Sequence, residues 1–184
     1  LGDWSIPYLI KTLALSEKKS HRMRLLELIP AAGRVAVPAL VKNLEQAPPW
    51  YLARNLILMI SKIADASLYP HIKPFMKHSD LRVQQEVIYC LKKMNSEDRT
   101  ERLLEAINTC NDKLKPQLVR TLGPSLEKRV GSAFVGLLNN YTVFDNQIRN
   151  DIIREVCRFL PHYSTEKAVQ SLTSLLYTTK SDPS

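Results

Sequence analysis

Residues 68–94, LYPHIKPFMKHSDLRVQQEVIYCLKKM, hold a complete helix, turn and helix with legible boundaries, and the rest of the chain reads as copies of them. In the first half Ile72, Phe75 and Met76 recur at helical spacing, and Pro70 and Pro74 fall early enough to be tolerated near a helix start. The break comes at His78-Ser79-Asp80, where Ser79 or Asp80 can cap a second helix. In that helix Val83, Val87, Cys90, Leu91 and Met94 follow the i, i+4, i+7, i+8, i+11 rule for one buried stripe. Arg82, Gln85, Glu86, Tyr89, Lys92 and Lys93 are left on the other side.

An internal period follows directly. Ile6-Pro7-Tyr8-Leu9, Val37-Pro38-Ala39-Leu40 and Tyr69-Pro70-His71-Ile72 share an apolar-Pro-x-apolar start, with the prolines 31 and then 32 residues apart. Leu52, Leu56, Met59, Ile60 and Ile63 lie 31 residues before the stripe of 83–94 and are all apolar. One more shift back gives His21, Leu25, Leu28, Ile29 and Ala32, which fits except at His21. Forward, Leu103, Leu104 and Ile107 supply a first helix, while Leu114, Leu118 and Leu122 supply a second with Pro116 in its first turn. A fifth unit pairs Phe134, Val135, Leu137 and Leu138 with Ile152, Val156, Phe159, Leu160 and Tyr163 across the long link 139–146. A last helix, 166–177, reads as the first half of a sixth unit. The units are 4–33, 36–65, 68–95, 100–123, 129–163 and 165–178, approximate to a residue or two. Two short amphipathic helices cannot bury their apolar faces alone, so the expectation is a single stacked array over 1–184. Opening on Leu1-Gly2-Asp3-Trp4 and stopping partway through a unit, the chain is expected to be a fragment of a larger protein, with Trp4 packed against a preceding unit.

Composition narrows the alternatives. A hydrophobic content of 45% over 184 residues can bury a core, and 7% aromatics with five glycines is low for a sandwich or barrel. No apolar run reaches the length of a membrane span, so direct membrane insertion is not expected. Cys90, Cys110 and Cys157 are odd in number and far apart, which argues against a disulfide framework and for a reducing, cytoplasmic setting in which they pack as small apolar groups. The net charge of +8 points to an acidic partner, whether protein or nucleic acid.

The V-P-A-L-V-K-N-L opening at Val37 to Leu44 and the S-D-L-R-V-Q-Q-E-V of Ser79 to Val87 resemble HEAT repeats, in particular the short bacterial type of the phycobilisome lyases. The resemblance implies an all-α fold: a right-handed α-α superhelix, or HEAT-like α-solenoid, of five helix pairs plus a final helix, with second helices lining a concave face. It also implies protein binding, as scaffold, adaptor or regulatory segment, although the same architecture hosts bilin lyases and DNA glycosylases.

If second helices line a groove, the alignment puts Arg54, Gln85 and Arg154 in one row, with Pro116 the odd member. Leu58, Tyr89, Arg120 and Arg158 form the next, and Lys62, Lys92 and Lys93 follow a turn on. Such a basic face suits carboxylates or phosphates through arginine forks; alternatively, long basic side chains simply solvate exposed helix faces. Trp50 and Tyr51, after Pro48-Pro49, are candidate rim contacts, or Pro49 starts the helix and Trp50 packs across to the next unit. Tyr141 and Phe144 in the long link either meet a partner or, for Phe144, fold back to seal a gap.

Signals for catalysis are weak. His71 and His78 stand seven apart without the further ligands a metal needs, and no Gly-rich phosphate loop, nucleophile elbow or cofactor motif is present. For a helical-repeat glycosylase the nearest candidate is Asp151 beside Arg154, equally a helix-start acid. The sequence therefore predicts a non-enzymatic module without cofactor or metal. Its concave face would bind an acidic protein or another domain of its parent chain, with sequence-tolerant nucleic-acid binding as the alternative.

Overall fold

The computed structural model describes residues 5–94 and 96–163 together with Gln170 and Thr173. The expected helix 166–177 and the packing of Trp4 lie outside the described residues. The fold is all-α, with helices packed in neighbouring pairs and no strand among the described residues, as in a HEAT-like solenoid. The chain divides into two compact units, 1–99 and 100–184.

In the first unit, α1 (Ser5–Leu15) pairs with α2 (Lys19–Ala31), α3 (Val37–Glu45) with α4 (Trp50–Ile63), and the short α5 (Tyr69–Ile72) precedes α6 (Leu81–Lys93). The second helices α2, α4 and α6 lie side by side, and so do the first helices α1, α3 and α5. The seam between α4 and α6 is the core: Leu56, Met59, Ile60, Val83, Val87 and Cys90 are fully buried, as the shared stripe requires. Each of these Leu, Met, Ile and Val side chains contributes roughly 1.5–3 kcal/mol of apolar burial. Burial pushes the Cys90 thiol up to about 12, so it behaves as a small apolar group. Asp80 begins α6 by accepting the backbone N–H of Arg82 at 2.9 Å, which satisfies a donor the helix leaves unpaired.

Two expectations need correction here. The first half of 68–94 is not one helix: α5 ends at Ile72 and a 3-10 segment, Lys73–Lys77, replaces its continuation. Pro74 has no N–H for the carbonyl four residues back and its ring crowds that carbonyl, so the α pattern stops two residues before it, at Ile72. In α2 the buried residues are Leu25, Leu26 and Ile29, whereas Leu28, placed on the stripe by its spacing, is 44% exposed beside an exposed Met23.

In the second unit, α7 (Arg99–Thr109) contributes all but its first residue, followed by α8 (Lys115–Leu122), α9 (Lys128–Asn139) and α10 (Asn146–Phe159). Here α8 and α10 are the neighbouring second helices, and α9 packs on α10. Pro116 sits in the first turn of α8, where its missing N–H costs nothing. Gly123, just past α8, lets the Phe159 ring approach so closely that a Cβ would stand 2.4 Å from it. Tyr163, after α10, meets Phe134 edge-on at 5.7 Å and donates its hydroxyl to the carbonyls of Gly123 and Ser125, closing the core. Asp145 begins α10 by accepting the N–H of Ile148 at 3.0 Å. Cys110 is buried and its thiol is pushed up to about 11, but Cys157 is exposed on α10 and does not pack as an apolar group.

Candidate interaction faces of the second helices

In the first unit Arg54 and Lys62 are engaged in ion pairs. Arg54 on α4 reaches Glu86 on α6, Nε to Oε2 at 3.4 Å; the carboxylate side chain is 9% exposed and the arginine 43%. Desolvation raises the Glu86 pKa above the ordinary carboxylate value, and the charge of Arg54 offsets part of that rise. Lys62 donates to Glu27 Oε1 at 2.6 Å and to the Leu26 carbonyl at 3.0 Å, tying α4 to α2. Gln85, Tyr89 and Lys92 remain exposed on α6, with the Lys93 ammonium 5.6 Å from the Tyr89 ring centre.

At the start of α4 the Trp50 ring lies under the Arg82 guanidinium, 3.4 Å from ring centre to Cζ, and meets Tyr51 edge-on at 6.0 Å. Trp50 thus packs across to the next helix pair while staying partly exposed. Arg82 also grips Asp80 with two hydrogen bonds, 3.0 and 2.6 Å, and this holds the Asp80 carboxyl down at about 2.

The histidines serve local structure. His71 Nδ1 is 3.0 Å from Glu45 Oε1, and His78 Nδ1 accepts the N–H of Asp80 at 3.0 Å while its ring stacks on Phe75. Both line a cleft of about 430 Å³ with Glu45, Pro48, Pro74 and Phe75. Among the described residues no group of three or more His, Cys, Asp or Glu side chains is placed to hold a metal ion.

The second unit brings three of the expected residues together. Arg120 on α8 and Arg154 and Arg158 on α10 surround the carboxylate of Glu155, which is 4% exposed. Arg120 Nε stands 3.7 Å and Arg154 Nε 4.0 Å from Oε1, and Arg158 Nη1 stands 3.4 Å from Oε2. Arg154 also donates to Asp151 at 2.6 Å, and Gln147 donates to the other Asp151 oxygen at 3.2 Å. Asp151 is therefore an ion-paired acid on the helix surface. Phe144 is buried, with the Lys115 ammonium 5.8 Å from its ring centre, and the Arg149 guanidinium stands 5.6 Å from the Tyr141 ring centre. Pro116, the odd member of its sequence row, is buried.

Glu86 and Glu155 are the functional candidates that row-by-row reading of the basic residues passed over. A signal was present. Each stands immediately before the second member of its helix's stripe, Val87 or Val156, so the two occupy one repeat position. An acid on that flank faces the preceding second helix and needs a cation there.

Residues 37–123 match the family described as HEAT repeats. Comparison with curated proteins and with solved structures returns no match. No described helix is long and apolar enough to cross a membrane.

Proposed function

From the premise that this chain is a HEAT-repeat protein, a family whose members generally serve as protein-interaction scaffolds, we propose that it is a non-enzymatic scaffold or adaptor that receives an acidic protein segment on its second helices. The observation that carries this reading is the group of three arginines, each more than half exposed, gathered on α8 and α10 around one carboxylate. In the first unit the matching surface is Gln85, Tyr89, Lys92 and Lys93 on α6. An acidic segment of another protein, or of another domain of a longer parent chain, supplies the complementary charge.

The test uses fluorescein-labelled octaglutamate, its octaglutamine counterpart and oligothymidylate, titrated by anisotropy at roughly 50 and 200 mM salt. Binding of octaglutamate alone supports the reading. Loss of all binding overturns it, as does tighter binding of the oligonucleotide with a steep salt dependence, which is the mark of a nucleic-acid protein.

A further inference from the structure

We propose that Arg120, Arg154 and Arg158 form a receptor for one carboxylate of an acidic peptide, and that the buried Glu155 is the positioning residue that makes the three guanidiniums converge. The proposal rests on the acidic-partner reading above and says which residues would do the work in the second unit.

The geometry is unusual for an ion pair that serves stability alone. A buried carboxylate is costly unless compensated, and the equivalent Glu86 has a single nearby arginine that offsets part of that cost. Glu155 has three within 4.0 Å. Contacts of 3.7 and 4.0 Å are too long for hydrogen bonds, and Oε2 has no hydrogen-bond partner among the described residues despite the nearby Arg158. Glu155 thus attracts the guanidiniums without using up their N–H donors, of which each has five. Like charges held this close repel one another, and without a central anion they would splay into solvent. With Glu155 beneath them the three guanidiniums are held near one carboxylate while each stays more than half exposed, which leaves donors for an oxyanion bound by paired hydrogen bonds.

Charge selects the ligand. Against Glu155 and Asp151 the three arginines leave a surplus of one positive charge, which matches a carboxylate monoanion. A nucleic-acid strand needs a continuous basic track, and residues 100–184 carry 11 lysines and arginines against 9 acids. An aspartate or glutamate side chain in an acidic peptide therefore fits better than a polyphosphate backbone.

Octaglutamate binding to the 184-residue protein tests this with single variants whose fold is checked by circular dichroism. Arg120→Gln and Arg158→Gln, at exposed side chains, are each expected to weaken binding about tenfold. Glu155→Gln is expected to weaken it about fivefold although it makes the protein more positive, because positioning outweighs the added charge. Tighter binding by Glu155→Gln overturns the positioning role. If that variant does not fold, the two arginine variants decide alone. Wild-type binding that neither arginine variant alters overturns the receptor and leaves the acidic-partner reading standing on other residues; absence of wild-type binding overturns both. Displacement of the peptide by oligothymidylate at equal charge concentration overturns the choice of a peptide ligand.

Discussion

Glu86 in the first unit and Glu155 in the second occupy the same position of the repeat, each buried on a second helix and facing the second helix before it, yet their surroundings differ. Glu86 has Arg54 alone at 3.4 Å, while Glu155 has Arg120, Arg154 and Arg158. A single partner neutralises a buried charge and leaves little over. Three partners leave positive charge and hydrogen-bonding capacity at the surface. One repeat position thus serves as a structural pair in one unit and as the base of a candidate binding site in the other.

The largest expected effect separates the two by stability. Arg54→Ala strips Glu86 of its partner and should cost about 2 kcal/mol, less than the roughly 3–5 kcal/mol of a fully buried pair because Arg54 is 43% exposed. Arg120→Ala or Arg158→Ala leaves two arginines at Glu155 and should cost under about 1 kcal/mol. Urea midpoints measure both, and equal losses in the two units would break the contrast. Reversing the charge of Arg54 is a poor binding test for the same reason, since it sets two carboxylates together.

A smaller effect concerns pH. The Glu86 pKa is raised in the folded protein, so between the ordinary carboxylate value and that raised value the folded state holds more protons than the unfolded one. Stability contributed by the protonated form is present at low pH and is lost as pH rises through the folded pKa. Glu86→Gln should flatten this part of the melting-temperature profile relative to wild type. An unchanged slope would show that Arg54 already cancels the burial of Glu86.

The smallest effect lies at the rim. Asp80 titrates at about 2 chiefly because Arg82 hydrogen-bonds it, so its stabilising contribution is present above the ordinary carboxylate value and is lost as pH falls through about 2. Arg82→Ala should return the Asp80 resonance in a carbon-13 NMR titration toward the ordinary value and alter Trp50 fluorescence by removing the cation from its face. A carboxyl that stays low would assign the shift to the Asp80 helix cap instead.

Much of the helical scaffold was legible in the residues because the stripe at 83, 87, 90, 91 and 94 recurs 31 residues earlier with apolar side chains at every position. The failures are local. Leu28 has stripe spacing, but in α2 the burial goes to Leu26 instead. Pro74 lies four residues after Pro70, where a continuing helix would require its N–H, and the 3-10 segment Lys73–Lys77 stands there instead. For the candidate site, periodicity identified the cations of the second helices but counted them as a uniform basic face, because it ignored which acids lie between them.

The sequence by itself determined the helix pairs, their stripes and the face on which cations stand, since these follow from periods of a few residues and from local rules for prolines and caps. Only the tertiary structure decided which cations are taken. Arg54 and Glu86, or Arg120 and Glu155, are more than 30 residues apart, and packing of one second helix on the next brings each pair within reach. Burial then sets the strength of those charges by removing water from the carboxylates, a quantity that no spacing along the chain encodes.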